Sequence, residues 1–224
     1  MTLKQFCSTL STAVSAQLQG PLAAREDARA FGGSLQERIE EHWADLCRQQ
    51  GWRAEPLPGR RTIYDIACEM DGLRVGVDVN TTDLDPGRYA DGGICSVDNL
   101  LRFLAGRKAD RRGVLVVLEL AHQSAPNNPQ QRVVKSVTAA PLHTLPLDDF
   151  RIENLGTGQV RLNRLLADMQ PQWQRTTTEF LKDLVPLVKQ HYDRVAADAQ
   201  RRKAALEDFE RRVCTDFVAP RAAH

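Results

Sequence analysis

The chain has 224 residues, 42% of them apolar, with 30 Lys and Arg against 29 Asp and Glu, for a net charge of +1. That is enough apolar material for a real core, and too balanced a charge for a global basic field, although a local cleft can be basic in a neutral chain. No stretch approaches the roughly 20 apolar residues that span a bilayer, and MTLKQFCSTLSTAVSAQL lacks the apolar run of a secretory leader, so the expectation is a cytoplasmic protein with no membrane partner.

Lysine is scarce: it occupies positions 4, 108, 135, 182, 189 and 203, and all other cations are arginine. Arginine suits bidentate contacts to phosphate and guanine, but GC-rich coding gives the same bias. The five cysteines form no C-x-x-C pair, which predicts a reduced protein without a zinc site.

Leu3, Phe6, Leu10, Val14 and Leu18 repeat at helical spacing, and Gln19-Gly20-Pro21 closes that first helix. Gly32-Gly33 then reads as part of a polar connection. Ser34 is placed as the N-cap of a second helix, with Glu37 completing a capping box. Its inner face is Leu35, Ile39, Trp43 (or His42), Leu46 and Cys47, with His42 expected to be a partly buried packing residue. Gly51 stops the helix. Arg53 to Arg61 is turn-rich.

Two short runs follow, Ile63 to Met70 and Leu73 to Val79, separated by Asp71-Gly72. Asp-Gly between strand-like runs is a strong hairpin signal, because both central residues of a type I′ turn need φ > 0. Asp65 falls near the start of the first strand and Asp78 near the end of the second. Antiparallel pairing brings those two ends together, so the two carboxylates can share a metal ion. A charge at Asp78, between Val77 and Val79, is costly to bury unless a cation or donor meets it.

A loop from Thr81 to Gly93 is expected next, then a short helix begun by Ser96-Val97-Asp98-Asn99 and closed at Gly106. Val114 to Leu120 is nearly continuous and β-branched, the mark of a central strand buried on both faces. The polar stretch AHQSAPNNPQQ reads as a loop before another strand, Arg132 to Ala139. Short strands and turns fill Leu142 to Leu162. From Leu181 the positions 181, 185, 188, 192, 195, 199, 206, 209 and 213 keep a 3-4 alternation broken at Arg202, which fits a long helix packed on its own core or on a partner chain. Pro186 should kink or start a helix there. The fold class is thus α/β, a mixed β-sheet flanked by helices with a long C-terminal helical segment. We expect one domain over 1–224: helices in 1–50, a sheet core in 60–165, and helices in 171–213.

The string D65-(12 residues)-D78-V79-N80, laid across an Asp-Gly hairpin between an acid-bearing helix and a buried strand, resembles the PD-(D/E)XK superfamily. Within it the pattern is similar to the type II restriction endonucleases of the blunt-cutting EcoRV and HincII group. The resemblance spans roughly residues 34 to 120, and more loosely the NLGTGQV segment and the C-terminal helices. It matches the family's two acids to Asp65 and Asp78, and puts Asn80 where the family carries lysine. A glutamate on the preceding helix often completes such a site, and Glu37 and Glu40 are the two candidates.

What the resemblance implies is Mg²⁺-dependent, sequence-specific hydrolysis of double-stranded DNA by a homodimer. Asp65, Asp78 and the Val79 carbonyl would be the metal ligands. Hard oxygen donors hold Mg²⁺ with several waters attached, and the ion activates a water and spreads charge developing at phosphorus. Asn80 can orient the attacking water but is a poor base. DNA contacts are expected from Thr81, Arg88, Tyr89 and Asn99, and a DNA methyltransferase is the expected partner in such a system. Two alternatives are an unspecific repair or defence nuclease, and a DNA-binding protein with a silent nuclease fold.

Overall fold

The computed structural model describes residues 1–23, 28–58, 62–85, 93–104, 113–153 and 158–218. Its elements in chain order are α1 (Leu3–Gln17), β1 (Leu22–Ala23), α2 (Ala28–Gln50), β2 (Arg53–Ala54), β3 (Ile66–Met70), β4 (Leu73–Asp83), β5 (Gly93–Ser96), α3 (Val97–Leu104), β6 (Gly113–Ala125), β7 (Asn128–Pro141), β8 (Phe150–Glu153), β9 (Gln159–Leu162) and α4 (Thr177–Val218). The chain divides into two compact units, Met1–Lys182 and Asp183–His224, with α4 running through the boundary.

The first unit is built on a six-stranded mixed sheet in the order β1-β7-β6-β4-β3-β2, with a second sheet of order β5-β9-β8. Among the described residues only β4 and β6 run parallel; every other pairing is antiparallel. A parallel pair needs a long crossover, and β5 and α3 lie within it. As its β-branched run predicts, β6 is central, and Leu115 to Ala121 are buried without interruption. Odd positions of β4 (Val75, Val77, Val79) and even positions of β6 (Val116, Leu118, Leu120) share one face. There they join Phe6, Leu10 and Val14 of α1 and Leu35, Ile39, Trp43 and Leu46 of α2 in the main core. Trp43 donates its indole N–H to the Ala67 carbonyl at 2.8 Å, so the buried ring leaves no unmet donor there.

The hairpin forms where its turn residues place it. Asp71 and Gly72 have φ of 49° and 78°, both positive as a type I′ turn demands. However, β4 continues to Asp83 because β6 offers it partners as far as His122. Asp78 is therefore mid-strand rather than near the strand's end, and Thr81 lies in the strand rather than in a loop.

Four other expectations are corrected. First, α2 starts at Ala28, not Ser34. Ser34 is no N-cap: inside the helix its hydroxyl donates back to the Phe31 carbonyl at 2.7 Å, and Glu37 is an exposed residue rather than the acid of a capping box. Gly32 is there for close approach, since a Cβ on it would come within 2.4 Å of the Thr81 Oγ1. Second, His42 is exposed, its Nδ1 beside the Arg38 carbonyl at 2.9 Å, and Trp43 takes the inner position. Third, the polar stretch from Ala121 to Gln131 is mostly strand. β6 runs to Ala125 and β7 starts at Asn128, leaving Pro126-Asn127 as the turn. Fourth, Pro186 does not start a helix: it lies inside α4, which begins at Thr177 behind a capping box. There Thr176 Oγ1 accepts from the Glu179 N–H and the Glu179 carboxylate accepts from the Thr176 N–H. Among the described residues no helix is long and apolar enough to cross a membrane.

The Gly32 contact yields a first prediction. Gly32→Ala should destabilise the fold by about 1–3 kcal/mol, because the added methyl overpacks against a β-branched side chain that cannot swing away. Thr81→Ala should be milder, and the double variant should recover most of the loss. Urea denaturation of the three proteins checks this; a Gly32→Ala protein as stable as the parent would contradict it.

Candidate metal centre

β3 and β4 bring the two acids close together. The ladder ends with Ile66 opposite Val77, and the Asp65 N–H bonds to that same Val77 carbonyl at 2.9 Å, which leaves the Asp65 carboxyl beside β4, close enough to Asp78 for the two charges to act on each other. Asp65 Oδ2 accepts from the Val79 N–H at 2.7 Å. Along a strand, a residue's N–H and C=O point to the same edge, so the Val79 carbonyl also faces the edge that β3 has vacated. Asp78 is buried, and Asn80 donates its side-chain amide to the Asp78 carboxylate.

Burial holds the Asp78 carboxyl well above its ordinary range, and the neighbouring Asp65 charge adds to this; the Asn80 amide acts the other way. Asp65 is raised too, first by burial and then by Glu40, while the Val79 N–H and the Gln36 side chain partly offset the rise. Gln36 donates to Glu40 at 2.8 Å, so these two residues, one helical turn apart on α2, form the side of the site opposite β4. Of the two candidate glutamates, Glu40 is the one near Asp65; no interaction ties the exposed Glu37 to either acid. Cys95 of β5 lies close enough to Asp78 for that charge to push its thiol further up, on top of burial.

No ion pair among the described residues reaches Asp65 or Asp78, so a buried and a half-buried carboxyl lie close together without a cation. Nor do the described residues gather three or more His, Cys, Asp or Glu side chains close enough to hold a metal. A donor set of two carboxylates and a backbone carbonyl fits Mg²⁺, which keeps several waters and takes one or two carboxylates. It does not fit structural zinc, which closes four protein ligands around itself.

The other expected contacts are scattered. Thr81 projects to the opposite face of β4 from Asp78, beneath Gly32 of α2. Asn99 is in the first turn of α3, its N–H bonded to Ser96 Oγ at 3.3 Å. Arg88 and Tyr89 lie outside the described residues. Glu119, unnoticed within the apolar run VLVVLEL, is a buried acid beside Asn80 in the β4–β6 register. It accepts from the Thr82 hydroxyl at 2.8 Å and the Leu166 N–H at 2.6 Å. The one signal for it in the sequence was an acid inside a run that has to be buried.

No family model matches the chain, and no curated protein matches it. Among solved structures it is similar to the NlaIV restriction endonuclease, at 9% identity over 86% of this chain and 90% of that one, with a TM-score of 0.48. So loose a likeness carries no function across.

Proposed function

We propose that the chain is a Mg²⁺-dependent endonuclease of the type II restriction class, cutting double-stranded DNA as a homodimer at a short two-fold site. The observation that carries this reading is the pair of neighbouring carboxyls, the buried Asp78 and the half-buried Asp65, brought together by a tight hairpin with no ion pair to either among the described residues. Such a pair is unfavourable as it stands and becomes favourable around a divalent ion.

Bound there, Mg²⁺ would supply water activation and neutralise the phosphate. Asp65 is held by the Val79 N–H, and Asp78 by the Asn80 amide, so both acids are fixed before an ion arrives. Gln36 and Glu40 bracket Asp65 from α2. Asn80 brings no charge. With its N–H₂ committed to Asp78, it positions a ligand rather than taking the role of a lysine at the attacking water. A homodimer follows because one site cuts one strand, and two-fold symmetry suits palindromic DNA. A cytoplasmic restriction enzyme of this kind would be accompanied by a DNA methyltransferase that protects the host's own sites.

Cleavage of mixed-sequence plasmid DNA with Mg²⁺, against a chelated control, tests the reading. Discrete fragments support restriction. A smear points to an unspecific repair or defence nuclease, and intact plasmid to a DNA-binding protein with a silent nuclease fold. The last gains some support from Asn80, since its amide lacks the charge that roughly doubles a hydrogen bond's strength.

A second prediction follows from that amide. The parent chain should cut, and Asn80→Lys should change the single-turnover rate by less than about tenfold, or ~1.4 kcal/mol, because the site is arranged around an amide already in use. An inert parent beside a readily cutting Asn80→Lys variant would show a disabled nuclease instead.

A further inference from the structure

Seven large hydrophobic residues are exposed among those described, and four of them, Val185, Tyr192, Leu206 and Phe209, lie on α4. All four fall on one heptad stripe: positions 185, 192, 199, 206 and 213 alternate with 188, 195, 202 and 209 at spacings of three and four. Leu206 and Phe209 are 68% and 65% exposed. Val188 is already buried within the chain, so the open part of the stripe runs from Tyr192 to Val213, roughly 30 Å of helix. An apolar seam of this period is what a second helix packs against, knobs into holes.

Charge selects the occupant and its direction. In a parallel pair, Arg202 would stack on its own copy in the seam. In an antiparallel pair centred between Gln200 and Arg201, Tyr192 meets Phe209 of the partner subunit, Val195 meets Leu206 of the partner subunit, and Arg202 meets the small Ala199 of the partner subunit. The flanking positions then put Lys189 beside Glu210 of the partner subunit, twice by symmetry, and the two Arg202 side chains fall in neighbouring layers, roughly 4.5 Å apart along the axis, rather than in one. Lys189 and Glu210 are both exposed.

We propose that this stripe is a self-pairing surface, on which a second copy of the chain docks its own α4 antiparallel. The inference stands on the helix alone and holds whether or not the chain cuts DNA.

Sedimentation of the full chain tests it. The parent should sediment as a dimer. Leu206→Asp combined with Phe209→Asp should be monomeric while keeping its helix content by circular dichroism. Glu210→Lys should weaken the dimer by about tenfold, since it turns two attractive pairs into repulsive ones. Lys189→Glu should do the same, and the two together should restore it. In a parallel seam Glu210 faces Ala205 of the partner subunit, so a Glu210→Lys variant with undiminished dimerisation would overturn the arrangement. A parent that stays monomeric at the highest concentration it tolerates, or a folded Leu206→Asp, Phe209→Asp variant that remains dimeric, would overturn the surface itself.

Discussion

Asp78→Ala should abolish Mg²⁺-dependent cleavage, with a fall in rate of at least ~10³-fold, while binding of duplex DNA stays largely intact. On the proposed reading, the loss of one of two carboxylate ligands would remove the several kcal/mol of charge stabilisation that a bound metal brings, and each ~1.4 kcal/mol is tenfold in rate. Stability should move the other way. In the metal-free fold, burial and the Asp65 charge keep the Asp78 proton on above the usual carboxylate range. The folded chain therefore binds more protons than the unfolded one. What this group contributes to stability is fully present below about pH 4 and is lost as pH rises through the raised folded value. Asp78→Asn has no such loss and keeps an acceptor for the Asn80 amide. Its Tm advantage over the parent, measured with chelator, should be small near pH 4 and widen as pH rises, then shrink when Mg²⁺ is added to the parent. Parent-like turnover by Asp78→Ala would end the assignment. A Tm difference that does not vary with pH would mean that Asp78 is not the strained carboxylate described above.

The hairpin that carries this pair was legible because its determinants are local: Asp71-Gly72 alone specifies a turn with two positive φ values. The two acids were legible because strand pairing converts their spacing directly into adjacency. The central strand was legible as a β-branched run. The failures involve partners far away in the chain. Gly32 looks like a loop residue until Thr81, 49 positions later, is found pressed against it. Gln123 and Ser124 look like loop residues until β7 pairs with them and Asp85 accepts from Ser124. Gln36 has no significance in the sequence until Asp65 is beside it. Local chemistry thus gives the turns and the strand cores. The extent of the strands, the start of α2 and the side of the site contributed by that helix are decided by tertiary contacts.

The second large effect lies at the far ends of β4, β6 and β7, where Arg132→Ala should cost about 3–5 kcal/mol, a large fraction of the roughly 5–15 kcal/mol that keeps a domain folded. The Arg132 side chain is almost wholly buried. It pairs with Asp83, reaches Asp85 Oδ2 at 3.3 Å, donates from Nε to His122 Nδ1 at 3.0 Å, and stacks its guanidinium 5.6 Å from the centre of the Phe31 ring. A β-bulge, where Ala121 pairs with Ser136 but His122 with Val134, aims these side chains at one another. Removing the arginine takes the cation from the buried Asp83 carboxylate and the donor from the His122 acceptor, and that is the costly way to break such a cluster. Arg132→Met together with Asp83→Asn should be less damaging than the sum of the two single changes, since residues in one network do not add. Acid should mimic the loss. Burial and the Arg132 charge lower His122 from 6.5 to about 4, so it stays neutral in the fold. Its contribution is present above about pH 6.5 and is lost as pH falls toward 4, because the unfolded chain takes up that proton first. Urea midpoints of the single and double variants between pH 4 and 7.5 measure all of this. A loss below ~1 kcal/mol for Arg132→Ala would show that solvent already reaches the cluster and that the three strand ends are held together by packing alone.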